Sequence, residues 1–417
     1  MRVRPGLGAL QEPEFRRLFF ARAFSQLGDG LLPVAHSFAI LQVDSSPSSI
    51  GFVLAARSVP MVLFLLVGGV WADRLDRRRL MLATDLLRAG TQALLAFLLL
   101  TGRAELWHLL ALAFVYGVGA AFFYPASTGL LPQLVSSGRL QEANALLTLT
   151  ESGFQVLGPV LAGVIVAVAN PGWAIAVDSL TFLASAGFLA RLTLPAAAAR
   201  AQLGFLTELR EGWREFRSRT WLWVDGLYSA LANALTLAPL FALGPVVAQR
   251  ELGGASAWAT IVTFAGVGAL AGGALAIRVK PERPLRAGVA ALSLLAGPPA
   301  LLAIPADTVA IGVAAFFAAL GLSFFNTVFI TTMQEYVPPD SLSRVSSIDW
   351  LLSIGFQPIG YALAGPLAES VGVSTTLAAA ATWLILSTAT VLAIPSVRNL
   401  RRLNRGGREA SALAKAD

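Results

Sequence analysis

Ionisable side chains inside long apolar segments are the residues of this sequence best placed to do chemistry. Asp29, Arg57, Glu151 and Asp178 each interrupt a run of largely apolar residues. Placing a charge in such surroundings is costly, so an ionisable residue there is a functional candidate by default. Burial favours the neutral form of a carboxylate, which can then take up and release a proton. The chemistry expected at these positions is proton or cation binding.

Asp29 is the first candidate for proton coupling, and Glu151 is the second. The alternative for Asp29 is a carboxylate that stays permanently paired inside a helix bundle. Arg57 needs an anionic partner, which Asp29 or Asp178 would supply, because a lone buried charge is strongly unfavourable. The other possibility for Arg57 is binding of an anionic substrate. For Asp178 we favour a scaffold role, as a buried charge partner.

The composition indicates which elements carry these residues. The 417 residues are 56% hydrophobic and 13% charged, whereas a soluble domain has about 25% charged residues. Apolar runs recur near the roughly 20 residues that a helix needs to cross a bilayer. Because the backbone in lipid must satisfy its own hydrogen bonds, these runs are predicted to be helices. The predicted fold class is all-α integral membrane, with the lipid bilayer as surroundings.

Twelve spans are predicted, with six in each half of the chain. They lie at 15–43, 48–72, 78–101, 105–126, 142–168 and 171–194, and at 220–247, 257–278, 284–304, 307–333, 345–369 and 373–395. With both termini in the cytoplasm, 26 of the 31 basic residues fall in cytoplasmic segments and 2 in outer loops. This split follows the positive-inside rule and predicts a multi-pass protein of a bacterial inner membrane. The net charge of +7 then reflects topology, and no nucleic-acid partner is expected.

Several functional classes are not expected. The sequence has no cysteine and two histidines, which argues against thiol chemistry and a multi-histidine metal site. Its two lysines, Lys280 and Lys415, lack the Gly-Lys-Ser/Thr setting of a nucleotide-binding loop. No familiar catalytic motif is present. We therefore expect no metal, no cofactor and no enzymatic activity.

The two halves resemble each other in sequence. Gly153–Gln155 recurs as Gly355–Gln357 at an offset of 202, and Gly68–Gly69 recurs as Gly272–Gly273 at an offset of 204. Parallel duplication of six-helix halves is a known transporter architecture, with substrate bound midway between the halves. The predicted units are bundles at 1–194 and 220–397, a cytoplasmic linker at 195–219 and a basic cytoplasmic tail at 398–417. The charged end of the linker is either a helix on the membrane surface or a plain connection.

The repeat also indicates polar residues that substrate could contact. Gln155 and Gln357 occupy matching places in the fifth and eleventh spans. Asn233 stands where the repeat places a counterpart of Asp29. Hydrogen bonding between helices is the alternative role for the glutamines.

The segment after the second span carries a family resemblance. It reads Gly69-Val-Trp-Ala-Asp-Arg-Leu-Asp-Arg-Arg-Arg-Leu80. This resembles the signature Gly-x-x-x-Asp-Arg-x-Gly-Arg-Arg/Lys of the major facilitator superfamily, with Asp76 where a second glycine is usual. The variant resembles the branch of enterobactin exporters and macrolide efflux proteins. Arg57-x-x-Pro60, Gly28-Asp29 and Asp178–Phe182 resemble that branch too.

The resemblance implies the major facilitator fold, twelve helices in two pseudo-symmetric six-helix bundles. It also implies a cytoplasmic gate, in which the loop meets the start of span eleven and Asp73 faces a helix N-terminus. The alternative is that these residues only anchor topology. The predicted gate residues are Gly69, Asp73, Arg74, Arg77, Arg78, Asp85, Arg88 and Asp349.

By the same resemblance, spans four and ten line the central cavity. The predicted cavity aromatics are Phe123, Tyr124, Phe324 and Phe325. We expect a secondary transporter, functional as a monomer, that exports hydrophobic or amphipathic small molecules such as drugs, antibiotics or siderophores in exchange for protons. A lipid or lysolipid flippase and an uptake carrier are the alternatives within transport, because fold alone does not fix substrate or direction. A membrane-embedded enzyme or sensor is the least favoured class.

Overall fold

The computed structural model describes residues 8–193 and 205–402, apart from 75, 137 and 138. In the first half the helices are α1 (Pro13–Val43), α2 (Pro47–Arg74), α3 (Arg77–Leu100), α4 (Leu106–Leu134), α5 (Leu140–Val168) and α6 (Pro171–Ala190). A separate helix, α7 (Phe205–Ser218), precedes the second half. The helices of the second half are α8 (Thr220–Ala232), α9 (Ala238–Val247), α10 (Ala255–Arg278), α11 (Pro284–Leu292), α12 (Gly297–Ala303), α13 (Thr308–Tyr336), α14 (Pro339–Gly355), α15 (Gln357–Val371), α16 (Val373–Ala393) and α17 (Pro395–Arg398).

Some of these helices combine into single spans. Two π-helical segments, Asn233–Leu237 and Ala248–Leu252, continue α8 and α9 into one span. Helices α11 and α12 are joined by a 3₁₀ segment at Ser293–Ala296. Span eleven breaks between α14 and α15, because Pro358 has no N–H to donate to the preceding turn. Within the described residues, eleven helical segments are long and apolar enough to cross a membrane. Helix α1, with 31 residues, adds a twelfth long segment that is more polar.

Capping side chains show why several helices begin where they do. Asp76 accepts a hydrogen bond from the backbone N–H of Arg79 at the start of α3. Asp307 accepts from two backbone N–H groups at the start of α13, at 3.0 Å each. Such oxygens satisfy N–H groups that have no partner in the first turn of a helix.

Matching glycine contacts reveal the internal repeat in three dimensions. Any Cβ on Gly158 of α5 would overlap Gly30 of α1, and any Cβ on Gly360 of α15 would overlap Ala234 after α8. Gly158 corresponds to Gly360 through the offset of 202, and Gly30 corresponds to Ala234 through the offset of 204. Small residues let helices approach closely in lipid, so the repeat preserves helix packing.

The two halves meet at one end of the bundle. This end carries the turn between α1 and α2, and the charge distribution predicts that it faces outward; we call it the outer end. Gly365 of α15 packs against Ser48 of α2, and the symmetric Gly163 of α5 packs against Ala259 of α10. A large core cluster here contains residues of both halves. The outer end is therefore closed in this conformation.

Hydrogen bonds reinforce the outer closure. Trp258 Nε1 donates to the carbonyl oxygen of Pro33 at 3.1 Å, and Ser46 Oγ donates to Glu369 Oε1 at 2.5 Å. Each bond joins the first half to the second. Two other core clusters, by contrast, lie wholly within one half each. The halves are thus packed as separate bundles that share the outer closure.

Helix α7 packs against the second half, and its position on the membrane surface stays a prediction. Phe216 is fully buried, while Trp213 is about half exposed. Gly212 lies against Arg344 and Ile348 of α14. The apolar side of this linker helix therefore contacts protein.

Candidate functional site

Five helices of the first half each bring one polar side chain to a common region. These residues are Asp29 of α1, Arg57 of α2, Arg88 of α3, Tyr116 of α4 and Asp178 of α6. Hydrogen bonds, a salt bridge and ring contacts link the first four, and Asp178 lies against Gly28 next to Asp29. We call these five residues the polar cluster. The cluster contains Asp29, Arg57 and Asp178, three of the four ionisable residues that the sequence placed inside apolar segments. It also contains Arg88, which the sequence assigned to the gate.

Asp29 contacts two other members of the polar cluster, Tyr116 and Arg88. The Tyr116 hydroxyl donates a hydrogen bond of 2.7 Å to Asp29 Oδ1. Arg88 Nη1 lies 3.8 Å from Asp29 Oδ2. The side chain of Asp29 remains 17% exposed, whereas that of Arg88 is fully buried. Asp29 therefore combines a hydrogen-bond donor and a nearby cation with partial exposure to solvent.

Arg88 is fixed from several sides. It forms a buried salt bridge with Asp85 one turn away on α3, and Ser185 Oγ donates to Asp85 Oδ2 at 2.5 Å. The guanidinium carbon lies 4.3 Å from the ring centroids of both Phe123 and Phe182. Cation–π contacts of this kind help to hold a buried cation. The sequence assigned Asp85 and Arg88 to the gate, and the structure places their salt bridge beside Asp29.

Arg57 contacts the cluster through an aromatic ring. Its guanidinium carbon lies 4.9 Å from the ring centroid of Tyr116. The predicted ion pair of Arg57 with Asp29 or Asp178 is not among the salt bridges of the described residues. The Arg57 guanidinium instead lies over the ring of Tyr116, which donates to Asp29. Its charge therefore interacts with Asp29 and Asp178 at longer range than a salt bridge.

Asp178 is fully buried on α6 and joins the cluster to a neighbouring amide. Gln92 Nε2 donates to Asp178 Oδ2, and the same amide lies 2.9 Å from His36 Nε2. Among the described residues Asp178 Oδ1 has no hydrogen-bond partner. A carboxylate oxygen left without a donor is costly when it is buried. Asp178 is therefore a second buried acid near Asp29, and the scaffold role predicted for it stays a prediction.

Two glycines allow the helices to bring these groups together. A Cβ on Gly28 would overlap the carboxylate of Asp178, and a Cβ on Gly117 would overlap the carbonyl of Arg57. Gly28 thus admits α6 to α1, and Gly117 admits α2 to α4. The Gly28-Asp29 pair noted in the sequence has this steric basis.

Glu151, the second predicted proton site, lies outside the cluster. Its carboxylate is 4.0 Å from Arg22 Nη2, and its side chain is 41% exposed. Arg22 also donates to Ser127 Oγ. An exposed pair at this distance contributes little energy. A coupling role for Glu151 stays a prediction.

The predicted polar cavity residues have different surroundings. The Asn233 amide donates to the carbonyl oxygens of Ser229 and Ser353, at 2.9 and 3.1 Å, and so ties α8 to α14. Gln357 Nε2 donates to the hydroxyl of Tyr361 at 3.4 Å. Gln155 is exposed. Of the three, Gln155 is the most accessible to a substrate in this conformation.

The predicted cavity aromatics lie in packed interiors. Phe123, Phe324 and Phe325 are 2–5% exposed, and Phe325 stacks on Phe329 with centroids 5.7 Å apart. Phe123 faces Arg88, as described above. The side chain of Tyr124 lies outside the described residues. Substrate contact by these aromatics stays a prediction for another conformation.

The predicted gate is only partly covered by the structure. Nothing is described of the side chains of Asp73 and Arg74 or of the surroundings of Gly69. Arg78 Nε donates to the carbonyl oxygen of Leu189 at 3.0 Å, at the C-terminal end of α6. Arg77 begins α3 and is half-buried. A cation beside terminal carbonyls stabilises a helix end, so Arg78 joins α3 to α6 within the first half.

Asp349, the predicted partner of the loop arginines, lies within the second half. It is 9% exposed and faces Gly226 of α8. Sequence reasoning did not single out Tyr116, Gln92 or Asp225. Asp225 interrupts the seventh apolar segment, which was a sufficient signal for an intramembrane acid. Tyr116 and Gln92 are uncharged, so only their contacts reveal them.

Comparison with known proteins identifies the family to which this arrangement belongs. Residues 5–409 match the family model described as transmembrane secretion effector. The chain belongs to this family of the major facilitator superfamily. A match over nearly the whole chain also confirms the superfamily resemblance of the loop after α2.

Individual relatives of the chain are named as bacterial transporters. The uncharacterised transporter YfiS of Bacillus subtilis is 28% identical over 88% of the chain and 90% of its own length. Macrolide efflux protein A of Streptococcus pyogenes is 22% identical over 94% of the chain and 97% of its own length. The enterobactin exporter EntS of Salmonella paratyphi A is 27% identical over 85% of the chain and 86% of its own length. These relatives confirm the predicted branch.

Solved structures show the same fold at low identity. The nucleoside transporter NupG, as a mutant, superposes with a TM-score of 0.75 at 12% identity over 91% of the chain and 99% of its own. A bacterial homologue of the human lysosomal transporter Spinster gives 0.71 at 15% identity over 93% and 98%. The major facilitator fold is therefore confirmed, and the chain is a multi-pass transporter.

Proposed function

We propose that this transporter exports a hydrophobic or amphipathic small molecule in exchange for protons. The observation that carries the proposal is the setting of Asp29, which accepts from Tyr116, faces Arg88 and keeps 17% of its side chain exposed. An acid so placed can hold a proton in one conformation and an ion pair in another. Relatives named as macrolide and enterobactin exporters support the direction and the substrate class.

Arg88 has further partners that would remain when Asp29 takes up a proton. If Arg88 had only Asp29 as counter-ion, protonation of Asp29 would leave a bare buried cation, which costs several kcal/mol. Arg88 keeps its salt bridge to Asp85 when Asp29 becomes neutral. It also keeps its ring contacts with Phe123 and Phe182. Asp29 therefore alternates between charged and neutral forms without leaving its neighbour unpaired.

The outer closure supports alternating access. Gly365 and Gly163 correspond through the internal repeat, and they lie in the two related helix pairs that close the outer end, α15 with α2 and α5 with α10. Because the repeat relates these pairs, rocking of the halves opens both together. The state with a closed outer end would receive substrate from the cytoplasm. Separation at these contacts would then release the substrate outside.

The test is gradient-driven transport in proteoliposomes, using ethidium and a macrolide antibiotic as probes. An imposed proton gradient should drive probe movement by the wild type, and Asp29→Asn should abolish it. Asp307→Asn is the matched control, because Asp307 caps α13 away from the cluster and asparagine also caps helices. Movement that ignores both the gradient and Asp29→Asn would refute the mechanism. Movement only down the probe's own gradient would identify a facilitator or flippase.

A further inference from the structure

The second half contains a pair of buried acids that the transport mechanism above does not use. Asp225 of α8 is 2% exposed and Asp349 of α14 is 9% exposed. Neither Oδ1 atom has a hydrogen-bond partner among the described residues. The salt bridges of the described part of the chain include neither acid. Each carboxylate has therefore left water without the donors or cations that usually compensate it.

The surroundings of the pair are apolar and closely packed. A Cβ built on Gly226 would lie 3.6 Å from Asp349 Oδ1, 2.9 Å from Leu352 Cδ2 and 3.2 Å from Phe216 Cζ. Asp349 thus points at the α8 backbone next to Asp225. Phe216 of the linker helix α7 covers the same spot, and it is fully buried. The acids lie between α8, α14 and α7.

Among the described residues, no basic side chain forms a salt bridge with either acid. Helix α16, which packs on α8, carries no charged residue, and Tyr228 Oη of α8 is bonded to Thr388 on it. Two of the surrounding described acids have salt-bridge partners, Glu215 with Arg219 and Glu335 with Arg402. Arg344 also takes part in an interaction. The remaining described arginines nearby are exposed: Arg210, Arg214, Arg217 and Arg398. Asp349 Oδ1 faces Gly226, the residue next to Asp225, so charges on both acids would repel each other.

The chemistry of the pair fits a proton better than a metal ion. Among the described residues no group of three or more histidine, cysteine, aspartate or glutamate side chains could hold a metal. Divalent cations take six or more oxygen ligands, which two carboxylates in an apolar wall do not supply. One proton removes a buried charge and so ends the repulsion between the two acids.

We propose that Asp225 and Asp349 form a second proton-binding site, whose occupancy keeps α7 and α14 packed on α8. Loss of the proton leaves like charges in the apolar wall and loosens this packing. Because α14 is the first part of span eleven and α7 links the halves, the site would connect proton binding to movement of the predicted cytoplasmic end. The site is separate from the Asp29 exchange and does not depend on it.

Infrared difference spectroscopy of the full chain in lipid nanodiscs tests the site without any transport assay. A protonated carboxyl group has a carbonyl stretch that shifts in heavy water and disappears on ionisation. The wild type should show such a band that is lost as the pH is raised. Asp225→Asn and Asp349→Asn should each remove or displace a band. The control Asp307→Asn should not, because Asp307 is an exposed helix cap.

A third variant separates a proton site from a fold defect. Phe216→Ala leaves both acids in place and admits water to the pair. Hydrogen bonding from that water should lower the carbonyl frequency of the band assigned by the asparagine variants. Spectra in which both asparagine variants match the wild type would overturn the proposal. A band unaffected by Phe216→Ala in folded protein would also contradict it, as would uptake of sodium in place of a proton.

Discussion

Gly365 offers the sharpest test of the outer closure. A Cβ at this position would lie 2.5 Å from Ser48 N and 2.8 Å from Pro47 C, whereas ordinary contact begins at 3.4 Å. Gly365→Ala therefore requires α15 and α2 to separate by at least about 0.9 Å, the difference between 3.4 and 2.5 Å. Backbone atoms are in the way, so no side chain can yield. Overpacking of this kind costs about 1–3 kcal/mol.

That cost falls only on the conformation in which the outer end is closed. It should shift the ratio of outer-closed to outer-open molecules by about 5- to 150-fold towards the open form. The chain has no cysteine, so spin labels can be placed at Arg103→Cys and Ser370→Cys without background. Electron–electron resonance should show the longer distances gaining population in Gly365→Ala.

A matched glycine provides the control. Gly187 lies in α6, and a Cβ there would have no atom within 4 Å. Gly187→Ala makes the same chemical change in a helix and should leave the label distances unaltered. If Gly365→Ala folds and gives the wild-type distances, the glycine contact does not hold the outer end closed. The reasoning about symmetric closure would then be refuted.

Two further variants test the polar cluster. Arg88→Met leaves Asp85 buried without its cation and should lower the free energy of unfolding by about 3–5 kcal/mol. The loss should be seen as a lower melting temperature in detergent. The control Arg103→Met, at an exposed turn, should change the melting temperature little. Tyr116→Phe removes the donor to Asp29 but keeps the ring, and it should cost about 1.5–3 kcal/mol, the range for a hydrogen bond to a charged group. Unaltered melting of either variant would mean that its contact contributes nothing.

The spans could be predicted from sequence because length and apolarity dominate in lipid. The predicted segment at 307–333 appears as Thr308–Tyr336, and the one at 373–395 as Val373–Ala393. Helix ends outside the bilayer depend on local contacts, so α4 continues to Leu134, beyond the predicted end at 126. The break before Pro358 follows from the missing proline N–H, but apolarity alone gave no sign of it.

The candidate site was only partly predictable. The sequence identified Asp29, Arg57 and Asp178 because charges in apolar segments are conspicuous. It could not show that Arg88 is shared between Asp85 and Asp29, since that depends on which faces α1 and α3 present to each other. Such faces are set by close glycine packing between helices distant in sequence.

Asp349 illustrates a different limit. Its position at the start of span eleven favoured a partner in the loop after α2. The structure places it against α8 near Asp225, because α14 packs on α8 within the second half. Sequence proximity to a predicted interface did not indicate which helix its side chain would face. The gate role of the loop stays a prediction.

The most direct test of the central claim is proton release when substrate binds to the purified transporter. A macrolide antibiotic or ethidium would be added to protein in weakly buffered detergent solution containing a pH indicator, with binding followed in parallel. Exchange at Asp29 predicts that the wild type releases protons on binding, and that Asp29→Asn binds the probe without that release. Equal release from both proteins, or binding by the wild type with no release, would contradict the account.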